Sequence, residues 1–192
     1  MDHRHFIFLH LYFPFVRKSN MGITEKRNWI TRNYSRFNIR GQRKYYWHWF
    51  SSMKISPHFF LQEFVPANIF KKWDKKSFWF IDKRIIDIAE SIRNHIRKPV
   101  IINNWKDGGA YNYSGYRPPE CNVGARFSQH RWGRAIDIKV PGIDLLQLYS
   151  FIKKNSDKFP DITCLENIQH TNTWIHADCR FTGENSILII NP

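Results

Sequence analysis

Between Asp82 and Pro99 the apolar residues Ile85, Ile88, Ala89, Ile92 and Ile96 return at helical spacing, with Asp82 placed to cap the amino end and Pro99 to stop the helix. A second helix opens at Asp144, turns Leu145, Leu148, Tyr149 and Ile152 to one side, and ends on Lys153-Lys154 beside its negative pole. Ser56-Pro57 predicts an N-cap and first helical residue for a shorter helix running to Phe64. Strand patterns interleave with these helices. Val100 to Ile102 is one. Ile136, Ile138 and Val140 alternate with Ala135, Asp137 and Lys139 up to Pro141-Gly142, so Asp137 points away from the isoleucines. Residues 162–168, 173–178 and 187–190 read as three more short strands, the first two flanking the polar segment Gln169-His170-Thr171-Asn172. The expected class is α+β, a small antiparallel sheet flanked by helices.

Residues 1–52 show no sustained helical or strand period, and the expected organisation is a basic, aromatic extension over 1–52 and a folded domain over 53–192. The apolar run Phe6 to Val16 is interrupted by His10 and Pro14 and lacks a small-residue cleavage site, so it is no convincing export signal. Asn103 to Phe127 is rich in Gly, Asn, Tyr and Pro, a loop long enough to suggest a functional role. The 192 residues, 42% of them hydrophobic, furnish a real core and exclude disorder throughout. With 24% charged residues, a mean hydropathy of −0.53 and no apolar run near the roughly 20 residues of a membrane crossing, a transmembrane bundle is excluded as well. Cys121, Cys164 and Cys179 are too few for a disulfide framework and lack the C-x2-C spacing of a structural zinc site. The net charge of +14 is lopsided: residues 1–52 hold 10 Lys/Arg against 2 acids, the other 140 residues 20 against 14. The domain is therefore only mildly basic, which suits polyanions, bacterial cell-wall polymers among them, without selecting one.

Two segments carry the chemistry, Ser128-Gln129-His130-Arg131-Trp132-Gly133-Arg134-Ala135-Ile136-Asp137 and Trp174-Ile175-His176-Ala177-Asp178. A lone histidine is usually a surface or hydrogen-bonded core residue. Here Gly133 allows a sharp turn that brings His130 toward Asp137, and His176 can complete a nitrogen and oxygen set suited to Zn2+ at about 2.0 to 2.2 Å. Three protein ligands leave a fourth position open, the mark of a catalytic rather than a closed structural zinc. Asp178, on the same strand face as His176, can orient that ligand. If 162–168 and 173–178 form a hairpin about Thr171, Glu166 lies opposite His176 and is the candidate general base for hydrolysis.

These segments, together with Ser114-Gly115-Tyr116-Arg117, resemble the zinc D-alanyl-D-alanine carboxypeptidase family, over roughly residues 55 to 190. That family includes phage cell-wall endolysins and has the hedgehog signalling domain as a structural relative. The resemblance implies a hedgehog-like, DD-peptidase-like metallopeptidase with one Zn2+ on His130, Asp137 and His176. Arg117 is implied to grip the substrate's carboxylate or polarise its scissile carbonyl, with Ser128 and Gln129 lining the cleft. The implied substrate is a peptidoglycan stem peptide and the implied activity that of a carboxypeptidase or endolysin-type endopeptidase at the bacterial cell wall, working as a monomer with no obligatory nucleic acid. Many relatives keep an acid three positions before the last histidine; Thr173 stands there, and it cannot act as a base. Trp174 likewise removes the His-x-His arrangement of some relatives. Two other expectations follow from these departures and from the tail: a non-catalytic, zinc-stabilised cell-wall-binding module, or nucleic-acid binding through the basic extension.

Overall fold

The structure, a computed structural model, describes residues 35–39, 42–46, 52–171 and 173–191. The chain divides into two compact units, Met1–Phe50 and Ser51–Pro192. In the first, β1 (Ser35–Ile39) and β2 (Gln42–Tyr46) pair antiparallel, with Ile39 opposite Gln42. This hairpin goes beyond the sequence reading, which found no strand period there; two five-residue runs of mixed basic and aromatic residues are too short to establish one. The apolar run Phe6 to Val16 and the rest of the extension lie outside the described residues.

In the second unit, Asp82 caps α2 (Lys83–Ile96) by accepting a hydrogen bond from the Arg84 amide at 3.0 Å. Ile85, Ile88, Ala89 and Ile92 are buried along one face, and the helix stops at Arg97, which is left-handed with φ 52°, two residues before Pro99. Asp144 caps α3 (Leu145–Lys154) through the amides of Leu146 and Gln147. Leu148, Tyr149 and Ile152 turn inward from it. The same core receives Ile136 and Ile138 from β3 (Ala135–Ile138), Leu165 from β4 (Cys164–Glu166) and Ile175 and Ala177 from β5 (Ile175–Asp178), all fully buried. Each large aliphatic side chain so buried contributes on the order of 1.5–3 kcal/mol.

The sheet order is β3-β5-β4-β6. Its first three strands are antiparallel; β6 (Leu188–Ile190) joins β4 in parallel, so the completed sheet is mixed. Cys164 faces Asp178 and Leu165 faces Ala177, the register expected of a hairpin about Thr171. Asp137 faces His176 directly on the other side of β5. No described helix is long and apolar enough to cross a membrane, and the three cysteines are free and buried.

Two expected elements are corrected. No helix starts at Ser56: its hydroxyl accepts from the Phe59 amide, Lys54 bridges Phe60, and only a 3-10 turn, Leu61–Glu63, follows. A hydroxyl that satisfies a local amide competes with helix nucleation. Val100 to Ile102 gives a single bridge, Ile101 to Lys139, because the next amide along that edge, Asp137 N–H, donates to Ser114 O at 2.7 Å instead. Helix α1 (Ala67–Trp73) and the 3-10 segment Asp74–Phe80 were not legible, being too short to set an apolar period.

Gly133 ties the helical layer to the sheet. Its φ is +65°, its carbonyl accepts from the Asp82 amide at 2.9 Å, and a Cβ there would collide with the carbonyl oxygen of Phe80. Gly133→Ala is expected to destabilise the domain by more than about 1 kcal/mol, read as a lowered melting temperature; an unchanged melting temperature contradicts this packing.

Candidate metal centre

His130 stands in the 3-10 turn Gln129–Trp132, which Ser128 precedes and Gly133 ends. Its ring is 1% exposed. Nδ1 lies 2.7 Å from the carbonyl oxygen of Gly115. A carbonyl only accepts, so Nδ1 carries the hydrogen and Nε2 keeps its lone pair. Gly115 can present that carbonyl because it runs against the backbone of Phe64, where any Cβ would collide with the Phe64 oxygen. His176 is fixed from the opposite ring edge: Nε2 donates to Asp178 Oδ2 at 3.2 Å, leaving the Nδ1 lone pair free. Asp178, fully buried, is itself clamped by Arg180 through Nε and Nη2, at 2.9 Å to Oδ1 and 2.6 Å to Oδ2.

Asp137 projects from β3 away from the core isoleucines, as its position in the alternation predicts, and the segment around Ser114 to Arg117 covers it. Oδ2 accepts from Arg117 Nη2 at 2.7 Å. Oδ1 lies 3.1 Å from His130 Nε2 and 3.0 Å from His176 Nδ1, and the two nitrogens are 3.1 Å apart. A tetrahedral zinc with bonds of about 2.0–2.1 Å has ligand-to-ligand edges of about 3.3 Å. The donor types, their mutual spacing and the outward-facing hydrogens of both imidazoles therefore fit a divalent metal. Among the described residues this is the group of His, Cys, Asp or Glu side chains that can hold one.

The titration pattern shows how the shell balances itself. Burial pushes His130 below the ordinary imidazole value, ahead of the opposing pull of Asp137. Burial acts the same way on His176, but its hydrogen bonds to the carboxylates of Asp137 and Asp178 outweigh it and lift that imidazole to about 9. Burial raises Asp137 and Asp178, and in each the histidine partner, with Arg180 for Asp178, reverses this and holds the carboxyl below its usual range.

The other residues expected at the site are found as follows. Glu166 Oε1 is 3.8 Å from His176 Nδ1, and its side chain is 19% exposed. Arg117 is buried, with Nε donating to Tyr113 O at 2.7 Å in addition to its bond to Asp137; Nη1 lies against Gly124, where a Cβ would collide with it. Gln129 Oε1 is buried and has no hydrogen-bond partner among the described residues. Thr173 is exposed. Sequence reasoning missed the Gly115 and Tyr113 carbonyls and Arg180. The carbonyls had no side-chain signal; Arg180, two residues beyond Asp178 in a strand pattern, had a weak one.

The family model described as Peptidase M15 matches residues 62–178, more than half of the chain. The chain belongs to the peptidase M15 family. Comparison with curated proteins and with solved structures gives no significant match. As an M15 member it is a zinc metallopeptidase, a hydrolase of the class that acts on peptidoglycan. The buried His130, Asp137 and His176 supply the metal-binding group that such a peptidase requires.

With His176 at about 9 in the metal-free shell, Nδ1 is protonated at pH 7, and a cation must displace that proton. Metal uptake at pH 7 is expected to release about one proton, and affinity to fall about tenfold per unit as pH drops from 9 toward 7. Calorimetric titration in buffers of different ionisation enthalpy measures both; affinity flat across that range overturns the assignment. Asp178→Ala is expected to weaken metal binding about 10–100-fold in the same titration.

Proposed function

We propose that the protein hydrolyses an amide bond in peptidoglycan stem peptides at the bacterial cell wall, as a D,D-carboxypeptidase or an endolysin-type endopeptidase, with Glu166 as general base. The observation that carries this reading is the pairing of a buried three-donor metal group with a partly exposed carboxylate at its rim, 3.8 Å from His176 Nδ1. Glu166 is also set apart by its surroundings. Asp137 and Asp178 are each held by an arginine, whereas among the described residues no Lys or Arg lies within ion-pair distance of Glu166.

Zinc in such a donor set supplies Lewis acidity, which polarises a carbonyl and makes water nucleophilic near neutral pH. Glu166 Oε1 takes the proton of the attacking water and returns it to the nitrogen of the departing amine. Arg117 keeps Asp137 oriented through Oδ2, so that Oδ1 alone faces the imidazoles, and its Nη1 remains to donate to a substrate carbonyl. Ser128 and Gln129 precede His130 in the chain and would line the cleft with their backbone, Gln129 Oε1 itself being enclosed. The acid that Thr173 fails to provide is thus supplied from the neighbouring strand, by Glu166.

Glu166→Gln is expected to keep full metal stoichiometry and lose about 10²–10⁴-fold in kcat. The measurement is digestion of purified cell walls with and without a chelator, with the new peptide termini identified by mass spectrometry. Undiminished turnover in Glu166→Gln rejects the assigned base, and bound metal with no wall hydrolysis by the unaltered protein rejects the enzymatic reading.

A further inference from the structure

The face of β3 that carries Asp137 also carries a cation with no part in the steps above. Lys139 lies two residues further along, so the two side chains project to the same side, their Cα atoms about 6.5–7 Å apart. Its backbone is fixed in place by paired hydrogen bonds with Ile101, at 2.9 Å from its amide and 2.8 Å to its carbonyl. The side chain is only partly exposed and lies against the loop that carries Tyr111 and Ser114. Nζ donates to Ser114 Oγ at 3.0 Å, lies 3.4 Å from the backbone oxygen of Asp137, and sits 4.5 Å from the centre of the Tyr111 ring.

All of those partners are uncharged. Among the described residues no carboxylate lies within ion-pair distance of Lys139, whereas Arg117 is already paired with Asp137 and Arg180 with Asp178. A partly buried ammonium that makes only neutral hydrogen bonds has given up hydration, its nearest negative charge, Asp137, is already paired with Arg117, and an anion arriving there restores the balance. Ser114 and Tyr111 belong to the same long loop that supplies Arg117 and the Gly115 carbonyl, so Lys139, the loop and the metal donors line one side of β3.

We propose that Lys139, with Ser114 Oγ beside it and the Tyr111 ring beneath its ammonium, is a subsite for a free carboxylate of the peptide substrate, placed about one or two residues from the bond that is cut. The inference rests on the peptidase reading above and narrows its substrate to peptides carrying an anion at that distance. The carboxylate has two sources, the C-terminus of the stem peptide or an acidic residue within it, and the subsite chemistry is the same for both.

The test uses the full chain loaded with zinc and a synthetic stem pentapeptide in three forms: free acid throughout, C-terminal amide, and amide at the acidic residue. Binding is followed by calorimetry and turnover by product release. The unaltered protein is expected to bind the free acid about tenfold or more tightly than one of the two amides, and the amide that binds weakly identifies the source. Lys139→Met keeps an unbranched stem over Tyr111 and removes the charge. It is expected to erase the preference by raising KM about tenfold for the acid with kcat within about twofold, while Lys139→Arg retains it. Tyr111→Leu, at a position 42% exposed and tolerant of change, is expected to reduce the preference several-fold without loss of fold. Preference intact in Lys139→Met, or kcat lowered equally on acid and amides, overturns the subsite and leaves Lys139 as a tie between β3 and the loop. Equal binding of all three peptides by the unaltered protein also overturns it, with hydrolysis unaffected. Acid preference that depends on Lys139 in a protein that cleaves none of the peptides supports the subsite and sinks the proposed reaction instead.

Discussion

His130 Nε2, Asp137 Oδ1 and His176 Nδ1 stand 3.0–3.1 Å from one another, and because the outer nitrogens of both imidazoles already donate to Gly115 and Asp178, all three converge as acceptors whenever His176 is neutral. Three lone pairs at that distance repel, and burial removes the water that would otherwise separate them. Only a positive charge at their centre reconciles the arrangement. A proton on His176 does so in part, which is why that imidazole is raised to about 9 while His130 is lowered; a divalent ion does so fully. The outer partners fix which nitrogen of each ring faces inward, the orientation that binding a divalent ion requires.

The rest of the domain acts to hold that triangle against its own repulsion. Asp137 and His176 are directly opposed residues of adjacent antiparallel strands, so their spacing is set by the sheet and not by side-chain torsion alone. His130 comes from a turn, and turns are mobile unless anchored. This one is anchored three ways: by the Gly133 carbonyl on the cap of α2, by the Arg117 amide on the His130 carbonyl, and by the ring's own bond to Gly115. On the core side of the sheet, Ile136, Ile138, Ile175 and Ala177 are completely enclosed. Strands packed on both faces leave little room for the metal donors to drift apart.

Legibility in the sequence followed the range of the interaction. Asp82 and Asp144 cap their helices as read, because a cap is decided within three residues. Strand alternation told which side Asp137 takes, and counting outward from Thr171 gave the register that brings Glu166 beside His176. Ser56-Pro57 misled because a hydroxyl that can cap a helix can equally close a turn, and the choice is made by a bridge from Lys54 to Phe60 that pattern alone does not reveal. The Gly115 carbonyl, which fixes the tautomer of His130, was invisible for a different reason. A backbone oxygen carries no residue identity, and only the collision awaiting any Cβ at Gly115 explains why that position is glycine. Long-range support of this kind separates a motif that names ligands from a fold that orients them.

Charge pairing gives the cleft its polarity. Arg117 offsets Asp137 and Arg180 offsets Asp178, so neither carboxylate has its full charge left to cancel that of a bound cation. A divalent ion in the triangle keeps most of its field, and Lys139 adds to it from the same face of β3. Glu166 is the opposing charge, and its oxygens make no hydrogen bond to the protein among the described residues. Charges so largely buried are weakly screened, and the proposed preference for an anionic peptide over a neutral one would draw on that before any contact selects its side chains. The domain's excess of 20 basic over 14 acidic residues beyond position 52 acts in the same direction at longer range. Under the proposed subsite an anionic peptide would be drawn in by the general field and held by Lys139, while Arg117 and Arg180, paired with Asp137 and Asp178, keep those carboxylates in place.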